Sequence, residues 1–297
     1  MQLMSRWGIE DEVRRLGFHS GHAMSIRLTL AGPELQRVPF EDHAWTCAQD
    51  HLETVLAQRA CAAGAQVRYR AELAGLQPDA DGVLATVATP DGPAHMIRAR
   101  YVIGADGAHS TVRQACGIAT SRARNFGDWL SILFRSPLRD YTGDPPFMVY
   151  GIGNPAVGGV IVPTDATDRW IRGIPWHPEN GEKPEDYDDE RCQALIRSAA
   201  GIPDLPVAVV QVRAFRMIAA IADRYRAGRT ILTGDAAHTF TPSTGMGLNL
   251  ALHDATTAAR VLADAIEHGD PPEALDQYEQ ACRPLAEKLL EPELAPI

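Results

Sequence analysis

The stretch from Thr230 to Asn249, TILTGDAAHTFTPSTGMGLN, constrains the fold more than any other part of the chain. An apolar run stops at once on Gly234 and Asp235, and a proline and two more glycines follow before a helical pattern begins. A second segment has the same design: RARYVIGADG is an apolar run that stops at Gly104, Asp106 and Gly107. Strands that are apolar on both faces belong to covered, parallel sheets. In such sheets ligands lie outside the carboxyl ends of the strands. The chain therefore puts one acid at each of two strand ends, where the hydroxyls of a ligand can be held. The alternative for each acid is an ordinary turn in which the Asp caps the helix that follows.

Gly245 and Gly247 let main chain approach a ligand with no Cβ in the way. The helix beyond them offers unpaired N–H groups and the positive end of its dipole. Its apolar residues fall at Leu248, Ala251, Leu252, Ala255, Ala259, Leu262 and Ile266, and Gly269 with the following Asp-Pro-Pro ends it. Such a turn suits a planar heterocycle whose carbonyl and nitrogen edge gains negative charge, as the pyrimidine edge of a reduced flavin does.

Elsewhere the pattern predicts one amphipathic helix over the opening residues, with Leu3, Met4, Trp7, Ile9, Val13 and Leu16 on a face and Gly17 as its stop. Residues 18–46 read as extended and irregular, and a helix follows through Leu52, Val55 and Leu56 to Gly64. QVRYRAEL and GVLATVATP read as strands, and DGPA as a hairpin turn. From about residue 119 to 217 short apolar runs alternate with Pro/Gly turns, the texture of an antiparallel sheet, and HPENGEKPEDYDDE reads as a solvated acidic loop. Trp129, Trp170 and Trp176 fall in this region, as pocket walls or as core. Two helices close the chain, the second packing Leu275, Tyr278 and Leu285.

Taken together, the motifs resemble those of the class A flavoprotein monooxygenases, the p-hydroxybenzoate-hydroxylase-like family. GDAAH followed by P-x-x-G-x-G-x-N matches that family's second FAD-binding motif at every fixed position, and DGAHSTVR at 106–113 is similar to its D-G-x-x-S-x-V-R motif. QDHLETVL resembles the family's helix bearing a flavin-contacting Gln, here Gln49. The resemblance implies an α/β fold: a Rossmann-like, glutathione-reductase-like FAD-binding domain with a mostly antiparallel β-sheet substrate domain inserted. Residues 1–118 and 218–297 would form the two parts of the FAD domain, and 119–217 the insert. It further implies that Asp235 accepts from the ribityl chain and that Gly234 shapes that turn. Gly245, Gly247, Leu248 and Asn249 would present backbone to the isoalloxazine, with Pro242 near its edge. Asp106 and Gly107 would lie by the ribityl–pyrophosphate region, supported by Ser110 and Arg113. The implied reaction is hydroxylation of an aromatic or polyketide-like substrate with O2 and NAD(P)H through a flavin C4a-hydroperoxide. The cofactor carries the difficult chemistry, so no catalytic side chain is assigned, and His238 is read as a packing or turn residue.

The family begins with a strand, a G-x-G-x-x-G loop and a helix, and this sequence shows no such βαβ unit. Three readings of that gap stand open. The natural protein carries the unit upstream, or a separate partner chain supplies it to one half of a split flavoenzyme. Alternatively, the protein is a flavin-free relative that binds a small aromatic or polycyclic ligand or works as a non-redox cyclase. Composition narrows the remaining classes. With 28 Lys+Arg against 38 Asp+Glu and a formal net charge of −10, the chain lacks the basic surface that nucleic acid or anionic membrane requires. Cys47, Cys61, Cys116, Cys192 and Cys282 form no C-x-x-C pair, and the histidines show no metal-ligand spacing, so neither a disulfide framework nor a metal site is expected. The absence of a leader or membrane-span pattern points to a cytoplasmic protein.

Overall fold

Glycine breaks the first helical stretch in two. In the computed structural model, which describes residues 1–40, 45–242, 245–269 and 275–294 without the His22 side chain, α1 (Gln2–Arg6) and α2 (Glu10–Leu16) are separate. Gly8 between them takes φ 72°, which a continuous helix cannot accommodate. The single helix expected there is corrected accordingly. The region read as irregular forms β1 (Phe18–His19), β2 (Gly21–Arg27), β3 (Glu34–Pro39) and β4 (Trp45–Thr46), ahead of α3 (Gln49–Ala62).

Next come β5 (Glu72–Pro78), β6 (Val83–Thr89) and β7 (Gly92–Ala99), an antiparallel meander whose second hairpin closes at Thr89↔Gly92 as the DGPA turn predicts. β8 (Val102–Gly104) and α4 (Thr111–Ala115) follow. The β-rich stretch contains β9 (Arg122–Arg135), α5 (Arg139–Thr142), β10 (Phe147–Ile152), β11 (Gly159–Pro163), β12 (Arg169–Trp176), α6 (Asp189–Ala200) and β13 (Ala208–Ile221). The chain closes with β14 (Arg226–Ala227), β15 (Thr230–Leu232), β16 (His238–Thr239), α7 (Gly247–Glu267) and α8 (Asp276–Leu294). The Asp-Pro-Pro stop expected after α7 lies outside the described residues.

The chain divides into two units, residues 1–67 with 127–216 and residues 68–126 with 217–297. In the first, β2 pairs with β10 in parallel (Met24↔Val149), and β10, β11, β12 and β9 are antiparallel neighbours. That pairing places residues 1–67 with the β-rich segment, whereas the resemblance grouped them with residues 68–118 and 218–297. Leu130, Ile132, Phe134, Tyr150 and Trp170 pack with Cys192, Ile196 and Ala199 of α6 to form its core. Trp170 is thus core, its Nε1 donating to the Ser136 carbonyl at 3.1 Å. The acidic stretch is only partly loop, since Asp188 caps α6 by accepting from the Arg191 N–H and Gly201 ends it at φ 73°.

In the second unit β15 lies between β14 and β8 and runs parallel to β8, as the two apolar segments predict. Its core joins Ile231, Leu232 and Val112 to Leu250, Ala258 and Val261 of α7 and to Tyr278, Cys282 and Leu290 of α8. The buried stripe of α7 is Leu250, Asp254, Thr257, Ala258, Val261 and Ala265, rotated from the one expected, and Ile266 is exposed. Leu275 and Tyr278 are buried as expected, and Leu285 is exposed.

Candidate functional site

The two acidic strand ends meet because β8 and β15 run in register. Ile231 pairs with Ile103 and Leu232 with Gly104, and the Thr233 N–H donates to the Gly104 carbonyl at 2.9 Å. The chain therefore leaves both strands side by side, toward Asp106 on one and Asp235 on the other. Gly104 is required by close approach: a Cβ there would stand 2.7 Å from Val112 Cγ1 and 2.9 Å from Leu232 Cδ2.

Asp106 is committed to its own turn. Its carboxylate accepts from Ser110 Oγ and from the Val112 N–H at 3.0 Å, while Ser110 Oγ accepts from the Arg113 N–H at 2.9 Å. The capping role weighed from sequence is thus filled by both residues. Gly107, at φ 81°, provides the left-handed step between strand and helix. The Arg113 guanidinium donates to the carbonyls of Ala108 at 2.7 Å and Ala236 at 2.9 Å. One side chain thereby ties the first motif to the second.

Asp235 differs. Its carboxylate has no hydrogen-bond partner among the described residues, although it stands at an exposed position. Desolvation by the surrounding protein raises its carboxyl above the usual Asp range, with the nearby His238 opposing. The turn that carries it is tightly held. Gly234 takes φ 55°, the Ala237 N–H donates to the Gly234 carbonyl at 2.8 Å, and the Gly234 N–H donates to Asp254 Oδ2 at 3.1 Å. His238 Nε2 meets the same oxygen at 2.6 Å, with both side chains fully buried. His238 is therefore a packed turn residue, as expected. Asp254 is a residue that the sequence reading missed. Its signal is an acid four residues after Leu250 and four before Ala258, inside an apolar helix stripe.

Beyond Phe240 the chain turns at Pro242, whose carbonyl accepts from the Gly245 N–H at 3.2 Å. Gly245 takes φ 63° with nothing within 4 Å of a would-be Cβ, so the space there is open. α7 then begins at Gly247 with no side-chain cap and no acid in its first turn. The N–H groups of Gly247, Leu248 and Asn249 have no intrahelical acceptor, and Pro242, Met246, Leu248 and Asn249 are exposed around them. Polar donors, one unpartnered acid and an apolar rim thus lie along neighbouring segments of the same unit. Gln49 belongs to the other unit, where it opens α3 and its Nε2 donates to Glu53 Oε1 at 3.0 Å. His253, Asp254 and Cys282 bring donor atoms within 4.8 Å of one another. Burial and the Asp254 charge push the Cys282 thiol up to about 12.

Comparison with known proteins gives the family and the fold. A family model described as an FAD binding domain matches residues 1–292. The tetracenomycin A2 monooxygenase-dioxygenase of Streptomyces glaucescens is 36% identical over 248 residues, covering 80% of this chain and 44% of its own. The ternary complex of aklavinone-11 hydroxylase with FAD and aklavinone has a TM-score of 0.85 at 29% identity, covering 96% of this chain and 57% of the other. The flavin-dependent monooxygenase PieE, in complex with FAD and substrate, reaches a TM-score of 0.90 at 27% identity, with 98% and 54% covered. The chain spans about half the length of the curated relatives it matches.

Proposed function

The chain belongs to the FAD-binding-domain family, and on that premise we propose that it holds the flavin of an aromatic or polyketide hydroxylase. The observation that carries the proposal is the placement of Asp235: without a hydrogen-bond partner among the described residues, held on a turn fixed by Gly234 and His238, and near a helix start with no side-chain cap. An acid in that condition lacks the donors that a polyhydroxy chain supplies, and the ribityl segment of FAD is such a chain. Asp235 would accept hydrogen bonds from those hydroxyls. The α7 N–H groups would face the pyrimidine edge of the ring, where oriented donors stabilise negative charge. Gly245 and Gly247 leave main chain free to approach the ring, while Pro242 and Leu248 exclude water from its edge. Asp106 and Gly107 shape the adjoining rim, held by Arg113 to the Asp235 turn.

A bound flavin would supply the redox chemistry between NAD(P)H and O2, which protein side chains do not provide. The residues here bind, orient and shield. The substrate class follows from the relatives: one is named a tetracenomycin A2 monooxygenase-dioxygenase, one is an aklavinone hydroxylase bound to aklavinone, and another, from Streptomyces coelicolor, is named a putative polyketide hydroxylase. β8 forms the open edge of its sheet. A phosphate-holding strand–loop–helix unit would pair there, carried on the same polypeptide or on a partner chain. No helix among the described residues is long and apolar enough to cross a membrane, and a cytoplasmic setting suits the supply of NAD(P)H.

Titrating the purified chain with FAD while following flavin fluorescence tests the proposal. Saturable quenching at one flavin per chain is expected, and fluorescence that stays that of free FAD throughout would overturn it.

A further inference from the structure

Asp254 is an acid with no exposed surface, set in the apolar stripe of α7. Burying a carboxylate is costly unless its oxygens are occupied by donors. One oxygen, Oδ2, receives the Gly234 N–H at 3.1 Å and His238 Nε2 at 2.6 Å, while Oδ1 is buried without a hydrogen-bond partner among the described residues. Against a carboxylate, which can only accept, Nε2 is the donor, and Nδ1 is buried without a partner among the described residues. The ring is confined between Tyr225 at 5.9 Å and Phe240 at 5.6 Å, centroid to centroid.

Gly234 and His238 bracket Asp235. The two bonds to one oxygen therefore fix both ends of the turn that displays it, and the Ala237-to-Gly234 bond closes the turn between them. The same helix also supplies the open N–H groups at Gly247, two turns before Asp254. Ala251, between these points, lies close enough that a Cβ on Gly234 would be 3.1 Å from its own. α7 thus carries both the helix start and the clamp on the Asp235 turn, and it sets their separation.

We propose that Asp254 is the positioning residue of the flavin site. Through a single oxygen on Gly234 and His238 it aims Asp235 at the ribityl chain, in register with the N-terminus of α7. This rests on the flavin reading of the same site. Asp254 does not touch the ligand, so its effect must pass through Asp235, and a double-mutant cycle separates that from a general loss of packing.

The test measures FAD dissociation constants for wild type, Asp235→Ala, Asp254→Ala and the double variant, alongside near-UV circular dichroism. Asp254→Ala is expected to weaken FAD at least tenfold with the fold retained. Added to Asp235→Ala, it should cost less than about threefold more. Asp254→Asn can place its carbonyl oxygen where Oδ2 stands and keep both bonds, so it should bind FAD within about threefold of wild type. If Asp254→Ala does not fold, His238→Leu breaks one arm of the clamp and should show the same non-additivity with Asp235→Ala. Additive losses, or unchanged affinity in folded Asp254→Ala, would overturn the proposal. If Asp235→Ala itself binds FAD like wild type, the flavin reading fails instead, and the two failures remain distinct.

Discussion

Asp106 and Asp235 occupy equivalent places at the ends of neighbouring parallel strands, yet they are in different chemical states. Asp106 has a hydroxyl and a backbone N–H as donors, while Asp235 has none among the described residues. The carboxyl of Asp235 is raised by desolvation in the folded chain, so the fold binds that proton more tightly than the unfolded chain does. Stability from this group is therefore greatest at acid pH and falls as pH rises from the ordinary Asp value of about 3.9 through the raised folded value. Above that window the folded chain carries an unfavourable charge, tempered by solvent at the rim. Asp235→Asn should accordingly be more stable than wild type near neutral pH without ligand, the difference closing toward pH 3. Thermal melts across a pH series read this directly, and a variant less stable at pH 7 would contradict it.

At the scale of the element, the parallel pair β8 and β15 carries the site because it brings two motifs, far apart in the chain, to one rim. The pairing depends on a close approach at Gly104, where Val112 and Leu232 leave no room for a methyl group. Gly104→Ala should cost about 1–3 kcal/mol by overpacking, read as a lower denaturation midpoint at unchanged slope, and a neutral result would remove that contact from the account. Both strands, the hairpin after β6, and the glycines of the Asp235 turn and α7 start were legible in the sequence, because period and turn chemistry are local. The face of α7 was not: hydrophobicity alone selects Ala255, Ala259 and Ile266, whereas the buried stripe passes through Asp254 and Thr257. A polar residue that is buried because a distant turn supplies its donors carries no apolar signature. α6 was hidden in a different way, since the acidic run before it reads as solvated loop even though Asp188 and Gly201 mark its two ends. Asp106 was read as ligand-side on resemblance with helix capping as the alternative, and Arg113 as support for its turn; the structure shows the capping bonds and extends Arg113 to the Ala236 carbonyl of the other motif.

For the whole molecule, the division into units follows long-range pairing. Residues 1–67 join the β-rich segment through β2 against β10, a parallel contact that neither segment encodes alone. The family and the α/β fold were legible because two motifs in the right order are more specific than either. Within its own unit, the second half of the chain carries the features on which the ribityl and ring part of the flavin reading rests: a held turn, an acid with no partner among the described residues, and a helix start with no side-chain cap. The most direct measurement of that claim is the FAD affinity of Asp235→Ala against wild type, with circular dichroism to show that the fold persists. The account predicts a dissociation constant raised at least tenfold, about 1.4 kcal/mol or more of lost binding. Equal affinity in a folded variant would contradict it.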